Sequence, residues 1–322
     1  MLLPTFIFGL AFLSFAAYLH AVSIEDFGAI EDIDQWKVAL HNSDALQKAI
    51  LSANSSADDR TVLIPAGKTY VMANSTLMNL HDVTIQVEGM VRFSDYIDGY
   101  PLDENDDRIV DAMWWFYDCT GIHITGKGTL DGQGLKWWRL CYTGIDNRPK
   151  LIQYSEVRDI TLEYVTLLNS PNWFVNLKDC ADAVIHDITI FTDSSITRIG
   201  DRDSVMYPLN TDGIDISATN VTVYNCNITN YDDAIVPKPC RSTWRYCQCS
   251  GNIEAYNNYI KYSVGLTIGS VPPHQDVNCV RNVTFRDTYM YRPLKAIYIK
   301  SNPGDEGTGI VEDILYENIF IE

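Results

Sequence analysis

Short β-branched runs, each opened by Asn, Asp or Gly, recur along most of this chain, and they constrain its fold more than any other feature. Val83-Thr84-Ile85, Ile122-His123-Ile124, Ile160-Thr161-Leu162, Ala183-Val184-Ile185, Val221-Thr222-Val223, Asn252-Ile253-Glu254, Val283-Thr284-Phe285 and Ile314-Leu315-Tyr316 share one pattern. In most of them two apolar residues flank an outward position, as in a strand with one buried face. Spacings of roughly 20 to 40 residues are those of a solenoid whose coils stack their strands. Hairpin signals such as Asn-Gly between alternating runs are missing, which argues against a jelly roll or propeller. The expected fold is all-β, a single-stranded right-handed parallel β-helix, with aliphatics inside a narrow tube and polar residues outside. Residues 24–52 contain the best helical stretch, Ser43 to Ser52, which is expected to cap the N-terminal end and block end-to-end strand pairing. Gly126 to Gly134 reads as a turn-rich bend; no Gly-Lys-Ser/Thr follows to make it a phosphate loop.

Two motifs sit on this repeat about one coil apart: Asn210-Thr211-Asp212-Gly213-Ile214-Asp215 and Tyr231-Asp232-Asp233-Ala234. Asx-Gly clusters are ordinary turn residues, and an Asp pair in a loop is usually solvated. Stacked strands lie ~4.8 Å apart, however, so adjacent coils would bring Asp212, Asp232 and Asp233 into one cleft. Glycoside hydrolysis needs a carboxylic acid to protonate the leaving oxygen and a carboxylate to activate water or attack carbon. Val264-Gly265-Leu266-Thr267 and Ala296-Ile297-Tyr298-Ile299-Lys300 follow, each again about one coil further on.

This ordered set resembles glycoside hydrolase family 28, the polygalacturonases and their relatives, over about residues 23 to 322. The resemblance implies a pectin-lyase-like solenoid and a pectic polysaccharide substrate cleaved at α-1,4-galacturonosyl linkages with inversion. Asp232 would be the general acid, with Asp212 and Asp233 holding and deprotonating water. Asn210, Lys238, Gly265, Tyr298 and Lys300 would bind substrate, the two lysines as point charges for its carboxylates. The Asp-Asp-x₄-Lys form resembles exo-acting members. Two positions depart from the family: Val264 stands where most polygalacturonases have histidine, and Tyr298 where they have arginine. On that basis Tyr298→Arg is expected to improve affinity for galacturonan. Rhamnogalacturonan-cleaving members lack the same two residues, so a rhamnogalacturonan hydrolase is the alternative, with a catalytically impaired pectin-binding protein as another. A calcium-dependent lyase would use the same carboxylates, but no motif supplies its base. Neither organic cofactor nor metal is expected. On lateral offset between coils, acid and base are expected at the ~6.5–9.5 Å of inverting enzymes.

The net charge of −18 argues against nucleic acid as a partner. It also repels an anionic polysaccharide at long range, so attraction must be local, from Lys238, Arg241, Lys295 and Lys300. Leu2 to Tyr18 is apolar and short for a membrane span; a signal peptide over residues 1–21 and a secreted, extracellular monomer without a membrane anchor are expected. Five Asn-x-Ser/Thr sequons and eight cysteines fit that route, with disulfides as the default and a stapled loop at Pro239 to Ser250. One domain, 22–322, accounts for the rest. The chain stops at Asn318 to Glu322 within what reads as a coil, so a C-terminally truncated form with an exposed apolar end is expected.

Overall fold

The computed structural model describes residues 21–102, 110–144, 146–197, 208–273, 277–304 and 306–322. The expected leader lies outside them but for Ala21. Every strand pairing among them is parallel, and the strands form one continuous sheet wound into a three-faced tube. The coils run right-handed, the sense that parallel crossovers take.

The repeat seen in the sequence is one corner of this tube. The residues opening the runs, Asp82, Gly121, Asp159, Asp182, Asn220, Asn252, Asn282 and Asp313, all have φ between 52° and 67°. The left-handed region turns the chain from one face to the next, and Asn, Asp and Gly enter it with least strain. After the corner the aliphatics point inward: Val83, Ile85, Ile122, Ile124, Ile160, Leu162, Val221 and Val223 are all buried. Their outward neighbours stay at least partly exposed, as Val184 does. The corner amides also bond to one another along the tube. Asn220 Nδ2 donates to Asp182 Oδ1 (2.9 Å), Asn252 Nδ2 to Asn220 Oδ1 (3.0 Å) and Asn282 Nδ2 to Asn252 Oδ1 (2.7 Å).

The cap helix runs from Trp36 to Asn54, longer at both ends than the sequence suggested. Its buried stripe, Ala39, Leu46, Ala49, Ile50 and Ala53, covers the first coils. Ser43 Oγ and Asn42 Nδ2 bond the carbonyls of Ala73 and Val71, which fixes it there. The bend at Gly126 leads through a strand, Thr129–Asp131, into a second helix, Leu135–Cys141, which the sequence reading missed. At the other end the strand Thr308–Ile321 pairs with Val277–Tyr291 alone and leaves Phe320 and Ile321 exposed.

Disulfides staple only half of the cysteines. Cys240–Cys247 closes the loop after Lys238, and Cys249–Cys279 ties that loop to the strand Val277–Tyr291, as the stapled-loop expectation held. Cys119, Cys141, Cys180 and Cys226 are free, against the expectation of general pairing. Three of these face the tube interior on separate coils, where thiols act as small apolar fillers. Burial pushes the thiols of Cys180 and Cys226 up to about 12.

Candidate active site

One face of the tube is built from the starts of successive strands, Val175–His186, Ile214–Tyr224, Asp233–Pro237, Gly265–Val271 and Ala296–Ser301. Register places Ile214 beside Ile235, Asp233 beside Gly265, and Thr267 beside Tyr298. The coils approach closely here. A Cβ on Gly213 would meet the Ala234 carbonyl oxygen at 2.3 Å, and one on Gly265, at φ 155°, would meet that of Ala296 at 2.5 Å. Only glycine lets these backbones pass. Asn230 Nδ2 clamps the two turns that carry Asp212 and the Asp232–Asp233 pair by donating to the carbonyls of Thr211, Asp232 and Asp233. Arg148, buried and paired with Asp146, holds the entering turn through Leu209 O (2.6 Å) and Asn210 Oδ1 (2.9 Å).

The three aspartates do come together: one carboxyl oxygen from each lies within 4.8 Å of the other two. This is tighter than the separation expected above, because the carboxyls converge on a single point at the coil starts instead of spreading along the face. Asp232 is the member that reaches the surface; Asp212 is 3% exposed and Asp233 fully buried. Asp232 accepts the backbone N–H of Asn210 at Oδ2 (3.0 Å) and of Asp233 at Oδ1 (2.9 Å). Asp233 accepts the hydroxyls of Thr267 (2.7 Å) and Tyr298 at Oδ1, and the Lys300 ammonium (2.9 Å) at Oδ2. Asp212 Oδ1 is buried with no hydrogen-bond partner.

A fourth carboxylate, Asp215, lies fully buried beneath them, its Oδ1 2.8 Å from Lys238 Nζ. Four carboxylates thus share two ammonium groups. The imbalance shows in their acidities. Burial, reinforced by the charges of Asp215 and Asp232, holds Asp212 well above the usual carboxylate range. Burial, then Asp233, raises Asp232. Burial lifts Asp215 to about 6 even though Lys238 opposes it. On Lys238 burial works to lower the pKa, but Asp215 and Asp212 outweigh it and the net shift is upward. The cluster therefore retains a proton where an isolated aspartate would have lost it.

Several of the residues expected to bind substrate also make contacts within the protein. Tyr298 and Lys300 are engaged by Asp233, so they position a carboxylate before they meet any substrate. Lys238 is similarly committed to Asp215. Gly265 contributes close backbone passage. Asn210 serves Asp232 through its backbone N–H, while its side-chain oxygen is held by Arg148. Asp215, Thr267, Asn230 and Arg148 were not singled out from sequence. Asp215 and Thr267 stand inside the quoted motifs, so the period-two alternation could have placed them on the site side; no local signal marks Arg148 or Asn230. Three converging carboxylates are also the donor set of a hard cation. Here both oxygens of Asp233 already hold an ammonium or hydroxyl donor, which leaves a cation a poor third ligand.

Residues 55–322 match the family model described as glycosyl hydrolases family 28. Among curated proteins, the probable endo-xylogalacturonan hydrolase A of Aspergillus flavus is 30% identical over 293 residues, covering 86% of this chain and 64% of that protein. Exopolygalacturonase A of Aspergillus niger is 25% identical over 302 residues, 89% of this chain and 66% of its own length. The chain thus spans about two thirds of the length of the curated relatives it matches. Among solved structures, the endo-xylogalacturonan hydrolase of Aspergillus tubingensis superposes with a TM-score of 0.73 at 22% identity, over 92% of this chain and 72% of that one.

Proposed function

The chain belongs to glycosyl hydrolases family 28, and we propose that it hydrolyses α-1,4-galacturonosyl linkages of pectin by single displacement, after secretion. The carrying observation is that only Asp232 of the converging carboxyls reaches the surface, with its acidity weakened by burial and by Asp233. It is the group that can touch a glycosidic oxygen and still hold a proton to give it. Asp233, set by Lys300, Tyr298 and Thr267, takes the proton of the attacking water, and the unbonded oxygen of Asp212 holds that water. The proton lost from Asp232 to the leaving sugar is replaced by the one taken from water. A double displacement would need a carboxylate that bonds to the anomeric carbon. The carboxyl oxygens stand closer together than is typical of inverting enzymes, so inversion is proposed from the family resemblance, and the anomer test below decides it. The relatives named for polygalacturonan and xylogalacturonan support the substrate class.

The test is incubation of the secreted protein with polygalacturonate, xylogalacturonan and rhamnogalacturonan. New reducing ends without ultraviolet-absorbing unsaturated products are expected from the first two. Unsaturated products would replace the hydrolase with a lyase, and cleavage of rhamnogalacturonan alone would move the substrate. Proton NMR in the first minutes should show the β-anomer as first product; an initial α product would overturn single displacement.

A further inference from the structure

Beside Lys238 the surface sinks into a cavity of about 270 Å³, bounded among others by Trp173, Lys178, Arg241, Trp244, Ser270 and Asn278. Its described lining contains no Asp or Glu, in a chain whose formal charge is −18. The cations there are differently placed. Lys238 Nζ is 4.9 Å from the centre of the Trp173 ring, and Lys150 Nζ lies 5.2 Å from the same ring. Lys238 is already paired with Asp215. Lys178 and Arg241 are exposed and make no ion pair among the described residues. Arg241 and Trp244 sit on the loop that two disulfides tie down. Asp179 fixes the same loop by accepting the backbone N–H groups of Arg245, Tyr246 and Cys247, each at 2.8 Å.

We propose that this cavity is a uronate subsite. It takes one sugar ring against Trp173 and Trp244 and that ring's carboxylate between Lys178 and Arg241. The subsite rests on the galacturonan reading of the catalytic cluster, to which Lys238 joins it, and explains how an acidic protein would grip an acidic polymer. Long-range repulsion acts on the whole chain, whereas Lys178 on the strand Val175–His186 and Arg241 on the tied loop, neither ion-paired among the described residues, act at contact, where screening by salt is weakest. A planar guanidinium also pairs with a carboxylate through two parallel bonds, so Arg241 sets the orientation of the ring.

The experiment is rapid-mixing tryptophan fluorescence, within the first turnover, with tri-α-1,4-galacturonate and with a neutral galactose trimer. The wild type should respond to the acidic trimer alone. The Lys178→Ala/Arg241→Ala double variant should bind it about tenfold more weakly, with a shallower salt dependence. Arg241→Lys should recover part of the loss. Both positions are exposed, so these variants keep the fold. Equal affinity in the double variant, or equal response to the neutral trimer, would overturn the subsite. If the acidic trimer binds as described but polygalacturonate is not cleaved, the hydrolase reading fails and the subsite stands. Cleavage with unchanged affinity in the double variant has the reverse meaning.

Discussion

The Asn220–Asn252–Asn282 ladder and the Asp212–Asp232–Asp233 cluster use the same device, like polar side chains brought together by neighbouring coils, and they end in opposite states. An amide carries both donor and acceptor, so each rung of the ladder satisfies the next. A carboxylate carries acceptors only. Stacked carboxylates must borrow donors, and here Lys300, Tyr298, Thr267 and two backbone N–H groups leave Asp212 Oδ1 without one. One column therefore stabilises the tube. The other stores a proton, and in this fold the step between the two is a change from amide to acid.

The largest effect expected on the site side comes from Asp232→Asn, which keeps shape and removes the donated proton. Turnover of polygalacturonate should fall by about 10³-fold with KM within a few fold, measured by reducing ends. Retained turnover would overturn the assignment of the acid to Asp232. On the ladder side, Asn252→Val puts a β-branched residue at φ 53° and removes two ladder bonds, so unfolding in urea should show a loss of about 2–4 kcal/mol. The same variant should leave the pH dependence of turnover alone. A shifted profile would mean that the columns are coupled.

Smaller effects separate positioning from binding within the site. Tyr298→Phe removes a donor from Asp233 and should lower kcat about tenfold while KM holds. Tyr298→Arg, which the sequence alone would favour for affinity, should also lower kcat, because the hydroxyl on Asp233 goes with the tyrosine. Smallest is Asp215→Asn. Removing a negative charge that raises Asp212 should move the alkaline limb of the rate profile to lower pH, by about one unit or less. A limb that moves upward would reverse the sign assigned to that charge.

The tube was legible because its period is written twice, in the inward aliphatics and in the Asx and Gly residues that must turn each corner. Asp212, Asp232 and Asp233 were legible through their order and coil spacing. What each neighbour does was not. Whether Tyr298 faces substrate or Asp233, and whether Lys238 is free or held by Asp215, depends on side-chain contacts between coils that are distant in sequence. Free Cys119, Cys180 and Cys226 were misread for a related reason: an even count cannot tell which thiols face inward on different coils. The Leu135–Cys141 helix is short and flanked by turn residues that dominated the local signal.

The claim that the aspartate stack holds a proton its donors cannot replace is tested most directly by carboxyl-carbon NMR titration of the wild type and of Asp212→Asn. With the wild type, a carboxyl of the cluster should titrate above the usual aspartate range, and folding stability should fall as pH rises from the unfolded-chain pKa toward that raised value. In Asp212→Asn the highest titration should vanish and the stability curve should flatten over the same interval. Wild-type aspartates that all titrate in the ordinary range, with parallel stability curves for the two proteins, would contradict it.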